Sequence, residues 1–204
     1  MKMKQSKLWM LAAILICGAS LVGCGNNNAK EQTKGNQVEG NTPETTKAEE
    51  TTVYTAVDAY LVNEIGKNYS QGDVCIPYAF LVGTNEDNLE DILVWGDFWV
   101  FNYDLVGDTL KTVSGGSHPG LMHVRKNESG YEVFGFDEVA DGTDNMSSAR
   151  EIFGDYYDVF CEVNGYAEKR EDMRLRYTSD YVKKHNMKAT LLQDYGWPAV
   201  VLPE

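Results

Sequence analysis

Basic residues are scarce in this 204-residue chain, in which 18 Lys and Arg stand against 31 Asp and Glu, for a net charge of −13. Residues 53–204 alone carry 12 basic and 26 acidic side chains, a net charge of −14. Because binding to nucleic-acid phosphates is driven by clustered Lys and Arg, we expect no DNA or RNA partner.

Motifs that would indicate a specific chemistry are also missing. No Cys/His cluster has zinc spacing, no glycine-rich loop resembles a phosphate cradle, and no internal repeat occurs. The acidic stretch at residues 141–145 does not match the calcium loop of an EF-hand. A nucleophile elbow around Ser117 is excluded because Pro119 occupies the position of its last glycine. The sequence therefore predicts neither a metal site nor a cofactor.

The first residues have the layout of a signal peptide. Three lysines precede an apolar run at residues 8–17, and small residues follow it. The run is well short of the roughly 20 apolar residues that a membrane-spanning helix requires. Leu21-Val22-Gly23-Cys24 resembles the lipobox of bacterial lipoproteins. That resemblance implies cleavage before Cys24 and a diacylglycerol on its thiol, and the alternative is an ordinary secretory signal with an incidental cysteine.

Residues 24–52 are expected to be the lipidated cysteine and a flexible polar tether. From residue 25 to residue 52 there is no aromatic side chain, and the apolar content is limited to Ala29, Val38 and Ala48. Such a segment buries too little surface to offset its ordering entropy. We therefore expect a protein on the outer face of the cell membrane, with the membrane as a partner through the lipid anchor.

Residues 53–204 are expected to form a single globular domain, with 22 aromatic residues available for its core. Helical spacing at residues 57–65 follows Thr55, a candidate N-cap, and ends at Gly66. Strands are expected at residues 74–82, 92–103, 109–114, 121–125 and 131–137. Pro77 indicates an edge or a bulge in the first strand, and Gly115-Gly116 is expected to end the third.

The strand at residues 92–103 has the strongest pattern, and both of its faces are expected to be covered. Two helices are expected after the strands. Ser148 and Glu151 have the spacing of a capping box, and residues 167–185 carry acids early and bases late, the order that the helix dipole favours. Asn186 can end this second helix. One face of the strand carries Trp95, Asp97, Trp99, Phe101 and Tyr103, and the other carries Val94, Phe98 and Val100.

A helix followed by an antiparallel meander resembles the cystatin-like and NTF2-like topology. This predicts an α+β fold with an N-terminal helix on a curved antiparallel sheet of four to five strands, followed by two helices. Residues 94–97 and 114–120, with Asp141-Gly142, also resemble uncharacterised lipoprotein domains of Gram-positive gut bacteria. That family implies no activity and no catalytic residue.

Two hypotheses for function stay open. In the first, a non-catalytic module binds a small ligand, a peptide or another envelope protein, and Trp95, Trp99 and Tyr103 line a partly open face. In the second, a small NTF2-like isomerase or hydrolase uses Asp97 with His118 or His123, since apolar walls raise the pKa of a buried carboxyl. A purely structural envelope protein is the third alternative.

Several residues have roles that the sequence leaves open. Ser117 and His118 are candidate binding residues in a glycine-rich turn or bulge. His123 and Asp97 are candidate binding residues as well. The alternative is that His123 is a solvated strand residue and Asp97 makes a cross-strand hydrogen bond. Cys75 and Cys161 can form a disulfide outside the cell if the fold brings them together, and otherwise they are two small buried side chains.

Overall fold

Residues 52–204 are described by the structure, which is a computed structural model. The predicted signal peptide, Cys24 and the tether up to residue 51 lie outside the described residues. Between residues 52 and 204, no helix is both long enough and apolar enough to cross a bilayer.

Helix α1 (Val53–Tyr60) begins at Thr52 and not at the predicted Thr55. The Thr52 side chain accepts a hydrogen bond from the Thr55 backbone N–H, and the Thr55 hydroxyl accepts one from the Thr52 backbone N–H. This reciprocal pair satisfies two of the N–H groups that a helix start leaves free. The chain continues through a wider turn (Leu61–Ile65) and a tighter one (Gly66–Asn68) before it leaves the helical path.

Four long strands form an antiparallel meander: β1 (Val74–Asn85), β2 (Ile92–Val106), β3 (Thr109–Asn127) and β4 (Gly130–Glu138). Two short strands, β5 (Leu191–Gln193) and β6 (Val200–Val201), complete a mixed sheet in the order β1-β2-β3-β5-β6, with β4 also pairing with β3. β5 runs parallel to β3, so the prediction of a purely antiparallel sheet was wrong in this respect. Of the two alternatives expected from Pro77, the edge position is confirmed, because within residues 52–204 the one strand that pairs with β1 is β2.

Strand β3 is continuous for 19 residues, although the sequence predicted a break at Gly115-Gly116. Val113 is an extra residue of β3 in a bulge opposite β2. From Ser114 to Val124, the pairing with β2 then runs in unbroken register. A side chain on Gly115, whose φ is +151°, would collide with the Val100 carbonyl and with Phe101. The glycine thus permits close contact between the two strands and does not end one of them.

Helices cover both faces of the curled sheet, as the pattern of β2 predicted. On one face, α1 packs against the residues that include Val94, Phe98 and Val100. On the other face lie α2 (Asn145–Phe153), α3 (Tyr157–Gly165) and α4 (Ala167–Lys184). The coarse prediction of an α+β fold with a helix on a curved sheet is therefore confirmed.

Three helices, and not two, follow β4. Gly154, with a φ of +49°, separates α2 from α3. Ser148 is not an N-cap, because it lies inside α2 and its hydroxyl accepts a hydrogen bond from the Ala140 N–H. The predicted second helix corresponds to α4 to within one residue, and Asn186 follows it in the left-handed conformation, with a φ of +52°.

Candidate functional site

A cavity of about 530 Å³ lies at the edge of the sheet where β3 leaves β4. It lies between the loop after α1 on one side and helices α2 and α3 on the other. A volume of this size is in the range of small-ligand sites. Polar side chains line part of it: Tyr69, Ser117, His118, Glu138, Asp141, Asn145 and Asn164.

His118 is held between two partners at this cavity. Its Nδ1 lies 2.6 Å from Glu138 Oε1, and its Nε2 lies 2.9 Å from the Tyr69 hydroxyl. The carboxylate favours the tautomer with a proton on Nδ1, which leaves Nε2 to accept from Tyr69. Burial raises the pKa of the Tyr69 phenol, and the charges of Glu138 and Asp141 raise it further. Tyr69 is therefore held as a neutral donor.

The charge of the cavity lining has one sign. Glu138 and Asp141 contribute carboxylates, and none of the residues that line the cavity is Lys or Arg. An anionic ligand would meet two negative charges with no compensating cation. The lining therefore favours a cationic ligand, or a neutral ligand rich in hydroxyl groups.

Apolar side chains line the rest of the cavity and form a wall beside these polar groups. Phe160 is buried and stacks on Phe153, with the two ring centroids 4.1 Å apart and the rings nearly parallel. Val139 and Ala149 are buried in the same cluster. The cavity thus combines a rigid apolar wall with convergent polar groups, which is the usual composition of a ligand site.

Asp97 lies directly behind this cavity and does not line it. Its side chain is fully buried and accepts hydrogen bonds from Trp99 Nε1 (2.9 Å) and from the Ser117 hydroxyl (2.6 Å), both on Oδ1. Arg170 donates to the other oxygen, Oδ2, at 3.2 Å. Three partners occupy the carboxylate, so the pairing with His118 or His123 that the enzyme hypothesis requires is not formed.

Helices cover the aromatic face of β2 that the sequence predicted to be partly open. Trp99 and Tyr103 are buried between the sheet and α4, and Trp95 donates its indole N–H to the Ile152 carbonyl of α2 and packs on Tyr156. Trp99 and Tyr103 belong to the core because α4 covers them, and Trp95 is partly buried by α2. The expectation that they line an open site is corrected accordingly.

Arg174 explains how Tyr103 is buried without losing its polar partner. The guanidinium, only 3% exposed, donates to the Tyr103 hydroxyl and forms two bonds with Asp194, at 2.8 and 3.0 Å. Tyr103 in turn shares a 2.8 Å hydrogen bond with Tyr78. Charge-assisted, two-pronged pairing of this kind satisfies a buried cation.

His123 does not line the cavity and lies within the β3–β4 pairing, opposite Gly135. Its Nδ1 is 2.8 Å from Asp91 and its Nε2 is 3.3 Å from Asp137. Burial acts to lower the pKa of His123, but the hydrogen bonds and charges of the two carboxylates outweigh it and raise that pKa above its usual value. His123 is thus a partly exposed member of a surface ion-pair cluster.

The two cysteines of the described part of the chain are free thiols. Cys75 packs on the α1 face of the sheet, whereas Cys161 is exposed and lines the cavity from α3. Because the sheet separates them, the disulfide that the sequence left open is not formed. Burial also raises the pKa of the Cys75 thiol.

Of the seven candidate binding residues, the structure brings Ser117 and His118 to the cavity and places Asp97 behind them. Sequence reasoning missed Tyr69, Glu138 and Asn164.

Within residues 52–204, no group of His, Cys, Asp and Glu is arranged to hold a metal ion. Comparison with protein-family models, with curated proteins and with solved structures finds no match.

Proposed function

We propose that this protein is a non-catalytic binding module of the cell envelope, carried on the outer face of the membrane by a lipid on Cys24. The observation that supports binding is the cavity beside β3, whose lining combines an acidic rim, formed by Glu138 and Asp141, with an apolar wall that includes Phe160. The helix on a curled sheet supports a cystatin-like or NTF2-like assignment of the domain.

The ligand that fits this rim carries an amine or several hydroxyl groups. An ammonium group would be attracted by the two carboxylates, while Asn145 and Asn164 offer both donors and acceptors to hydroxyls. Amino sugars and short basic peptides combine these groups, so they are the first ligands to test.

A thermal-shift screen of the purified full chain tests the proposal, with glucosamine, short peptides and neutral sugars as probes. A ligand present at 100 times its Kd should stabilise the fold by about 2.7 kcal/mol. Asp141→Asn should abolish the shift, whereas Asp155→Asn, the same change at an exposed acid outside the cavity, should preserve it. No shift with any probe would favour a purely structural envelope protein.

A second candidate function is acid–base catalysis by a small isomerase or hydrolase. The Glu138–His118–Tyr69 chain favours it, because a carboxylate that orients a histidine is a common arrangement for proton transfer. Turnover of a bound ligand that is lost in His118→Gln, with ligand affinity retained, would establish the enzyme and displace the binding module.

The lipid anchor has its own test. Cys24→Ala should leave the chain unprocessed by signal peptidase II and unlabelled by radioactive palmitate. Labelling that survives the substitution would refute anchoring at Cys24 and leave the cavity proposal untouched.

A further inference from the structure

We infer that the free edge of β3 beside the cavity accepts an extended basic peptide as an additional strand. This inference rests on the proposed function and specifies its ligand. It depends on three features of the described residues: the direction of the β3 backbone groups, the gap between β4 and β5, and the charge of the adjacent rim.

The Pro119 carbonyl shows which backbone groups of β3 point away from β2, toward the free edge. This carbonyl accepts a hydrogen bond from the Val139 N–H at 2.9 Å, so it points away from β2. Alternate residues of a strand direct their backbone groups to the same edge. Because the β2–β3 register is unbroken here, Ser117 and Gly115 also direct their N–H and C=O groups outward.

Neither neighbouring strand covers this stretch. β5 pairs with Thr109–Lys111, and β4 pairs with Gly120–Asn127. Residues 112–118, which span about 23 Å of strand, have no strand partner on that edge within residues 52–204. Exposed edges are normally protected because they template further pairing. Here the two neighbours leave a recess whose length suits only a short segment.

Charge complementarity identifies the kind of peptide. The cavity borders the edge at Ser117, His118 and Pro119, so side chains of an added strand would enter it. Glu138 and Asp141 would meet those side chains without a competing Lys or Arg in the lining. In strand addition, main-chain bonds supply affinity and side-chain pockets supply specificity, so lysine or arginine is favoured at the positions facing the rim.

The probe is the labelled peptide acetyl-(Lys-Val)3-amide, titrated against the full chain by fluorescence anisotropy at physiological salt. Acetyl-(Glu-Val)3-amide tests the charge requirement, and the fully N-methylated lysine peptide tests the need for backbone N–H groups. We expect the lysine peptide to bind, and the other two to bind at least tenfold more weakly.

Two substitutions at one position separate the contribution of the backbone N–H to peptide binding from that of the side chain. Ser117→Pro removes the outward N–H, and Pro119 shows that β3 accepts proline at the same edge. Ser117→Ala keeps the N–H and loses only the hydroxyl. The lysine peptide should bind Ser117→Pro at least tenfold more weakly than it binds Ser117→Ala. Equal binding to both variants would overturn strand addition.

Hydrogen exchange of the backbone amides in the unmodified chain tests strand addition if Ser117→Pro fails to fold. The outward amides of Gly115 and Ser117 should exchange faster than those of Gly116 and His118, which face β2, and the lysine peptide should slow the outward pair. Unchanged exchange at saturating peptide would refute the inference. A glucosamine shift that depends on Asp141, without peptide binding, would overturn strand addition and retain the proposed binding module.

Discussion

Replacing Asp97 with asparagine should destabilise the fold, because the carboxylate balances a cation beneath α4. The amide oxygen can still accept from Trp99 and Ser117, as Oδ1 does now. The amide nitrogen, however, would face the Arg170 guanidinium, which now donates to Oδ2. The substitution therefore leaves Arg170, with a side chain only 19% exposed, without its counter-ion.

The expected loss is about 3 kcal/mol in the free energy of unfolding. Breaking a buried ion pair by removing one partner costs roughly 3–5 kcal/mol, and the residual exposure of Arg170 argues for the lower end of that range. With a urea m-value of about 2 kcal/mol/M, the midpoint of unfolding should fall by about 1.5 M.

Urea unfolding of the full chain at pH 7, followed by tryptophan fluorescence and by circular dichroism, measures this change. The double variant Asp97→Asn/Arg170→Met removes the unpaired cation and should recover at least about 1 kcal/mol of the loss. A single variant that loses less than about 1 kcal/mol, or a double variant that is no more stable than the single one, would refute the reasoning. Asp97 would then be free for a role other than support of the fold.

Three further predictions follow from the buried and titrating groups. His123→Gln should lower the free energy of unfolding more at pH 5.5 than at pH 9, by less than about 1 kcal/mol at either pH. The reason is that the raised pKa of His123 adds stability below about pH 6.5, and this stability is lost as the pH rises through the pKa of the folded state. An equal loss at both pH values in urea titrations would contradict this. Arg174→Met should lower the melting temperature by about 6–12 °C, because Asp194 and the buried Tyr103 hydroxyl lose the cation that donates to them. A change under about 2 °C in a thermal scan would count against the network. In a Cys24→Ala chain, iodoacetamide should alkylate Cys161 before Cys75, because burial raises the pKa of the Cys75 thiol; equal rates by mass spectrometry would exclude that difference.

Local patterns predicted the elements whose geometry repeats along the chain. The charge order of residues 167–185 predicted α4, and alternation in residues 92–103 correctly predicted that helices or loops cover both faces of β2. These predictions succeed because helix dipoles and strand pleats act between near neighbours.

Predictions failed where a distant segment decides the local conformation. Gly115-Gly116 has the composition of a break, yet β2 pairs along the whole stretch and holds it as a strand. The short strands β5 and β6 have only three and two residues, and β5 forms because β3 provides a template for it. Strand propensity therefore carries little information at these positions.

The residues of the candidate site divide in the same way, into those that a local pattern indicates and those that a distant segment brings together. Glu138 could have been found, because counting along both strands from the hairpin turn at Gly130 places it opposite Pro119, next to His118. A bulge in β4 then moves the observed pairing by one residue, to Gly120. Tyr69 reaches His118 only because the tight turn at Gly66–Asn68 directs the following loop over β3. Arg170 meets Asp97 across 73 residues of sequence, and no local pattern indicates that contact.

The placement of the aromatic residues also decides which variants can test function. Trp99 looks like a binding platform in the sequence, but it is 7% exposed and packs against Phe80 and Phe101. Trp99→Ala would open a core cavity at a cost of about 3–5 kcal/mol, so lost binding in that variant would report unfolding as readily as a lost contact. Asp141 lines the cavity at its exposed rim and supports no core cluster. A loss of binding in Asp141→Asn, with an unchanged melting temperature, is therefore the measurement that separates the site from the fold.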